Sequence, residues 1–204
     1  MTPRTIAVVS TGISQPSSTR LLADRLAAAT SAYRPDGTQI VTIELRELAH
    51  DIVNHLLTGF PSPALQRAID QVVAADGLIA VTPLYNGSYN GLFKSFFDVL
   101  DPGAITGKPV LIAATGGTAR HSLALEHAIR PLFSHLRAVA VPTAVFAATQ
   151  DWGSADSSGD ALTARIERAG AELAALIDQR QPAAAVDPYA LATPFDELLR
   201  SRGA

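Results

Sequence analysis

Strand-length apolar runs alternate with segments of helical period along most of this chain, and that alternation restricts it to one fold class. Residues 5–9, 39–43, 77–81, 109–114 and 139–147 read as five buried strands. Between and after them, residues 17–33, 44–57, 63–75, 92–100, 122–136 and 160–179 carry helical spacing; Leu21, Leu22, Leu26 and Ala29 mark one such face. The third strand is expected to stop at Thr82-Pro83. Pro131 should kink or split its helix, and Pro142 should place the fifth strand at an edge or a bulge. Five strand–helix units in series imply an α/β domain: a parallel sheet with helices on both faces. In such sheets ligands bind beyond the carboxyl ends of the strands, where the strand order reverses.

The 204 residues suit one domain, and at 48% hydrophobic and 17% charged they suit a globular one. Residues 1–180 are assigned to that domain. Residues 181–204, broken by Pro182, Pro188 and Pro194, form a tail expected to dock on the body or on a partner subunit. The net charge of −3, with no block of Lys or Arg, argues against a nucleic-acid partner. The absence of cysteine removes disulfides, thiolate catalysis and iron–sulfur clusters together. No apolar run approaches the length of a membrane span or a signal segment, so a cytoplasmic location is expected.

Three loops that follow strands are rich in chemistry. The first carries Ser10, Thr11, Gly12, Ser14, Ser17, Ser18 and Thr19 just ahead of a helix. Free N–H groups at a helix start, with roughly half a unit of positive dipole charge, suit an anion, and hydroxyls add donors. It is neither a lysine-bearing P-loop nor G-x-G-x-x-G. Ordinary helix capping is the competing reading, although one or two hydroxyls would suffice for it. The second loop runs through Pro83, Leu84, Tyr85, Asn86, Gly87 and Ser88 to Tyr89, Asn90 and Gly91. Its two Asn-Gly pairs allow positive φ and hence close backbone approach to a flat ring, with Leu84, Tyr85 and Tyr89 as a wall. A long surface turn is the alternative. The third loop, Thr115-Gly116-Gly117, again permits close approach; a tight turn explains it equally well.

Taken together, these loops resemble the NAD(P)H-dependent FMN reductase family. The pattern P-x-Y-N-G-S-x-x-G-x-x-K, from Pro83 to Lys94, is the most specific element. The stretch 115–153, with Arg120-His121-Ser122 and Gln150-Asp151-Trp152-Gly153, resembles a bacterial branch that supplies reduced flavin to monooxygenases. The resemblance implies a flavodoxin-like three-layer sandwich with strand order 2-1-3-4-5. It implies FMN as cofactor and NADPH or NADH as donor. It places the FMN phosphate on the first loop, with Ser17, Ser18 and Thr19 foremost. The isoalloxazine falls on the second and third, with Asn86, Gly87 and Ser88 orienting the ring. It further implies a homodimer or homotetramer and a flavin-dependent monooxygenase as candidate partner. The chain departs from many members in one respect: an Arg of the phosphate loop is replaced by Ser14, which leaves Arg20 as a substitute cation.

Hydride transfer between two cofactor rings obliges no side-chain acid or base, so no catalytic residue is assigned. No metal is expected, because the five histidines form no ligand set. His121, Ser122 and Glu126 lack the G-x-S-x-G elbow of a hydrolase. Trp152 is a candidate for a neighbouring subunit's flavin or for an interface. Competing readings are an FMN-bound quinone or azo reductase, a non-enzymatic flavodoxin-like electron carrier and a flavin-free regulatory domain. The modest charge disfavours the carrier, and the intact second loop disfavours the last.

Overall fold

The computed structural model describes residues 3–34, 37–152 and 157–180, without the side chains of 157–160; the expected tail at 181–204 lies outside the described residues. The elements run β1 (Arg4–Ser10), α1 (Ser18–Ala32), β2 (Thr38–Glu44), α2 (Ala49–Thr58), α3 (Pro63–Ala74), β3 (Gly77–Tyr85), β4 (Ser88–Tyr89), α4 (Gly91–Asp98), β5 (Pro109–Gly116), α5 (Arg130–His135), β6 (Val139–Ala140), β7 (Val145–Ala148) and α6 (Ser157–Gln179). The sheet order is β2-β1-β3-β5-β6, with β7 also on β5 and β4 on β3.

The expected order 2-1-3-4-5 therefore holds once β6 and β7 are taken as one interrupted strand. The strand count is corrected from five to seven. The fifth strand breaks at Pro142 into two pieces, both parallel to β5 at the sheet edge. The extra strand, β4, is a two-residue antiparallel partner of β3. The third strand is also longer than expected: it passes through Thr82-Pro83 to Tyr85, with Pro83 in register with Thr115. Pairing with β1 has ended at Val81, so β3 has a free side there on which a missing N–H is tolerated.

Alternation along the central strands builds the two cores. Ile6 and Val8 of β1, Ile79 and Val81 of β3, and Leu111 and Ala113 of β5 face α1 and α6, meeting Leu22, Leu26, Leu162 and Leu173. Their neighbours Ala7, Val9, Leu78, Ala80, Val110 and Ile112 face the other way, toward Ile52, Leu65 and Val72. On that side Phe93, Phe96, Phe97 and Phe133 form a tilted and edge-to-face cluster between α4 and α5. The result is a three-layer sandwich. The expected helix at 122–136 is divided: after a 3-10 turn at Ala119–His121 comes a π segment at Leu125–Ile129, which runs directly into α5 with Pro131 at its second position.

The reversal of strand order falls between β1 and β3, since the chain leaves β1 for β2 on one side and returns to β3 on the other. The crevice above Ser10 and Val81, which pair across that step, is where this topology places a ligand.

Candidate functional site

The three loops meet at that crevice. A cleft of about 290 Å³ is lined by Ile13, Ser14, Ser18 and Thr19 from the first loop and the start of α1. Pro83, Leu84 and Tyr85 come from the end of β3, and Thr115, Gly116 and Gly117 from the end of β5. Thr149 and Trp152, from the loop after β7, complete it.

The first loop is built around the helix start. Ser17 is the N-cap of α1, extended in backbone, and its Oγ accepts from Arg20 N at 3.2 Å. Its hydroxyl is thus engaged in capping. Gly12 lies under that cap, and a Cβ there would stand 1.9 Å from Ser17 Oγ. Ser14 and Ser18 are exposed on the cleft wall. Thr19 is buried, its hydroxyl 2.8 Å from that of Thr115 across the cleft floor. Ser10 Oγ is fully buried at the end of β1 with no hydrogen-bond partner. Arg20, the substitute cation named above, is bound to Asp24 and Glu44, and those hydrogen bonds, Asp24 first, raise its pKa further. Arg46, at the start of α2's approach, donates instead to Ile13 O at 3.3 Å.

In the second loop Asn86 and Gly87 both take positive φ, 51° and 83°, as the centre of a two-residue hairpin from Tyr85 to Ser88. Asn86, Gly87 and Ser88 stand outside the lining of the cleft, which takes its wall from Pro83, Leu84 and Tyr85. The second Asn-Gly pair does something other than expected. Asn90 has φ −71° and is the N-cap of α4, its Oδ1 accepting from Phe93 N at 2.8 Å. Its Nδ2 donates to Thr11 O at 3.2 Å, tying the second loop to the first. An Asn three residues before an apolar helical run is itself a cap signal, and a capping reading of the sequence finds it. Trp152, left open between two roles, lines the cleft of its own chain. Asp151 Oδ2 accepts from Ala148 N at 2.8 Å and fixes the loop, and the Arg25 guanidinium lies 5.1 Å over the indole.

The donor set fits a phosphate monoester joined to a flat ring: hydroxyls and free helix N–H groups at one end, a glycine pair and an apolar-aromatic wall at the other. The model for the family described as NADPH-dependent FMN reductase matches residues 4–153. The chain belongs to the NADPH-dependent FMN reductase family. The FMN reductase (NADPH) of Pseudomonas aeruginosa is 37% identical over 178 residues, 87% of this chain and 95% of that protein. The NADH-dependent FMN reductase SfnE of Pseudomonas putida is 38% identical over 168 residues, 82% of this chain and 89% of that one. Among solved structures, an oxidoreductase from Corynebacterium diphtheriae superposes with a TM-score of 0.84 at 47% identity, covering 88% of this chain and 99% of that one. As an FMN reductase of flavodoxin-like fold, the chain transfers hydride from a reduced nicotinamide nucleotide to FMN. Among the described residues no helix is long and apolar enough to cross a membrane.

Proposed function

We propose that the cleft at the β1–β3 reversal holds FMN, that donor and flavin stack there, and that the reduced flavin is handed to a flavin-dependent monooxygenase. The convergence of the three loops on one crevice carries this reading. Ser14, Ser18 and the free N–H groups of the first turn of α1 take the phosphate. Ser10 and Ser17 stand behind them, and Gly12 lets the cap close. Thr19 and Thr115 form the floor. Pro83, Leu84 and Tyr85 hold one side of the isoalloxazine, Gly116 and Gly117 admit the other, and the Asn86-Gly87 hairpin with Ser88 stiffens the second loop. When bound, FMN supplies the hydride-accepting chemistry. The chain's own work is to orient the ring, hydrogen-bond the phosphate and leave one ring face open.

A homo-oligomer is part of the proposal. So is a cytoplasmic location, where reduced nicotinamide nucleotides are available. The test is an anaerobic titration of FMN-loaded protein with NADH and then NADPH, following the visible flavin band. Bleaching at catalytic rates supports the reading, and the faster nucleotide identifies the donor. FMN binding without bleaching by either nucleotide points to an electron carrier. No FMN binding rejects the cleft assignment.

A further inference from the structure

Beside the flavin cleft lies a second cavity of about 390 Å³, lined by Gly87, Arg120, His121, Leu123, Ala124, His127 and Ala128. It adjoins the cleft through two shared segments. Tyr85, at the start of the hairpin turn, lines the cleft, and Gly87, at its centre, lines the cavity; Gly117 and Arg120 are divided in the same way on the third loop. Its polar lining is a guanidinium and two imidazoles, with no carboxylate. Glu126, the nearest acid in sequence, is held by Arg130 through two bonds of 2.6 and 3.0 Å.

Three other arginines, Arg20, Arg130 and Arg137, are engaged or placed elsewhere. Arg20 is bound to Asp24 and Glu44. Arg130 holds Glu126 and the carbonyls of Val141 and Pro142. Arg137 lines a neighbouring cavity with Asp98 and Asp101, which shares His127 and Ala128 with this one. Arg120 is exposed and has no carboxylate partner among the described residues. Its backbone is held in the turn, where Thr118 Oγ1 accepts from Arg120 N at 3.4 Å.

The arrangement matters because a dinucleotide has two ends. With its nicotinamide over the flavin, its phosphates must leave the cleft over a rim. The α1 side is assigned to the FMN phosphate. The opposite rim, formed by the Asn86-Gly87 hairpin and the turn at Ala119–His121, opens on this cationic cavity. We propose that the cavity binds a phosphate group of the nicotinamide dinucleotide donor, with Arg120 as the principal contact and His121 and His127 as further donors. The proposal rests on the reading that the cleft holds FMN. A guanidinium pairs a phosphate through two parallel N–H···O bonds, and no carboxylate lines the cavity itself.

Two phosphates of the donor share this chemistry, the pyrophosphate common to both nucleotides and the 2′-phosphate of NADPH alone. The experiment separates them. FMN-saturated wild type, Arg120→Ala and Arg120→Lys are compared for KM and kcat with NADPH and with NADH, alongside Kd for FMN by fluorescence. Arg120→Ala is expected to raise the donor KM about tenfold or more, with kcat within about threefold and FMN Kd unchanged. Loss confined to NADPH identifies the 2′-phosphate; equal loss with both identifies the pyrophosphate. Inhibition by 2′,5′-ADP or by pyrophosphate, competitive with donor, should weaken in the same variant, and Arg120→Lys should restore part of the affinity. Unchanged KM for both nucleotides overturns the proposal, and so does a parallel rise in FMN Kd. Failure of the wild type to bind or reduce FMN rejects the underlying functional reading instead.

Discussion

The hydroxyls of Thr19 and Thr115 meet at 2.8 Å, buried, joining the first turn of α1 to the end of β5 across 96 positions of sequence. Each hydroxyl gives the other a partner that water cannot supply at this depth. The pair locks the first loop to the glycine pair at the end of β5, so the two ends of the proposed flavin site are set against each other by one bond.

Thr115→Val keeps the volume and removes one hydroxyl, leaving Thr19 Oγ1 buried without its partner. The loss should be about 1–3 kcal/mol of folding stability. Urea denaturation measures it. The double variant with Thr19→Val should recover part of that loss, because both polar groups are then gone; a double variant no better than the sum of the singles would mean the bond is not what couples the loops.

Gly12→Ala should be harmful out of proportion to its size. The added Cβ would fall 1.9 Å from Ser17 Oγ, and the cap of α1 must move to admit it. Loss of an N-cap costs about 1 kcal/mol, and the N–H groups offered to the phosphate are displaced with it. FMN affinity should fall more than riboflavin affinity in paired fluorescence titrations, since riboflavin has no phosphate to lose.

Trp152 is the chain's single tryptophan and lines the cleft. Its emission should therefore be strongly quenched when FMN binds, and the quench should saturate at one FMN per chain. Arg25→Ala removes the guanidinium from over the indole and should shift the unliganded emission without abolishing the quench. Unaltered Trp emission at saturating FMN would place the flavin elsewhere.

Lys108 is nearly fully buried at the start of β5, its ammonium donating to Val73 O at 3.2 Å and to Ala75 O at the end of α3. Burial, with a smaller push from Arg180 and an opposing pull from Asp76, lowers its pKa from 10.5 to about 8. Between these two values the unfolded chain binds more protons than the folded one, so this group makes stability rise with pH across that window. Below about pH 8 both states are protonated and the cost of the buried charge is full and constant. The span is on the order of 3 kcal/mol. Denaturant unfolding at pH 7.5, 9 and 10 should show the rise, and Lys108→Met should flatten it.

Much of this was legible in the chain order of residues. Alternating apolar runs specified the layered α/β architecture, because a strand buried on both faces needs continuous apolar sequence and a covering helix needs a 3.6-residue stripe. The same order put hydroxyls, glycines and the Asn86-Gly87 pair after strands, where a parallel sheet presents its loops on one edge. Pro131 and Pro142 marked the broken helix and the broken strand, since a proline's missing N–H acts locally. Pro83 misled for the same reason: whether that lost donor matters depends on β1 having already ended beside it, a fact of pairing and not of local sequence.

Contacts between loops were decided only in three dimensions. Ser17 and Asn90 became helix caps, Arg20 turned to Asp24 and Glu44, and Trp152 came to its own chain's cleft. Local sequence states which groups a side chain can bond. Which of them is within 3 Å is set by how far apart the strands carry the loops. The sequence by itself determined the layers, the end of the sheet that carries the site and the kinds of donors found there; the tertiary structure alone chose the partners, because hydrogen bonds and ion pairs act over a few ångströms between segments far apart in the chain, such as Arg34 and Asp178.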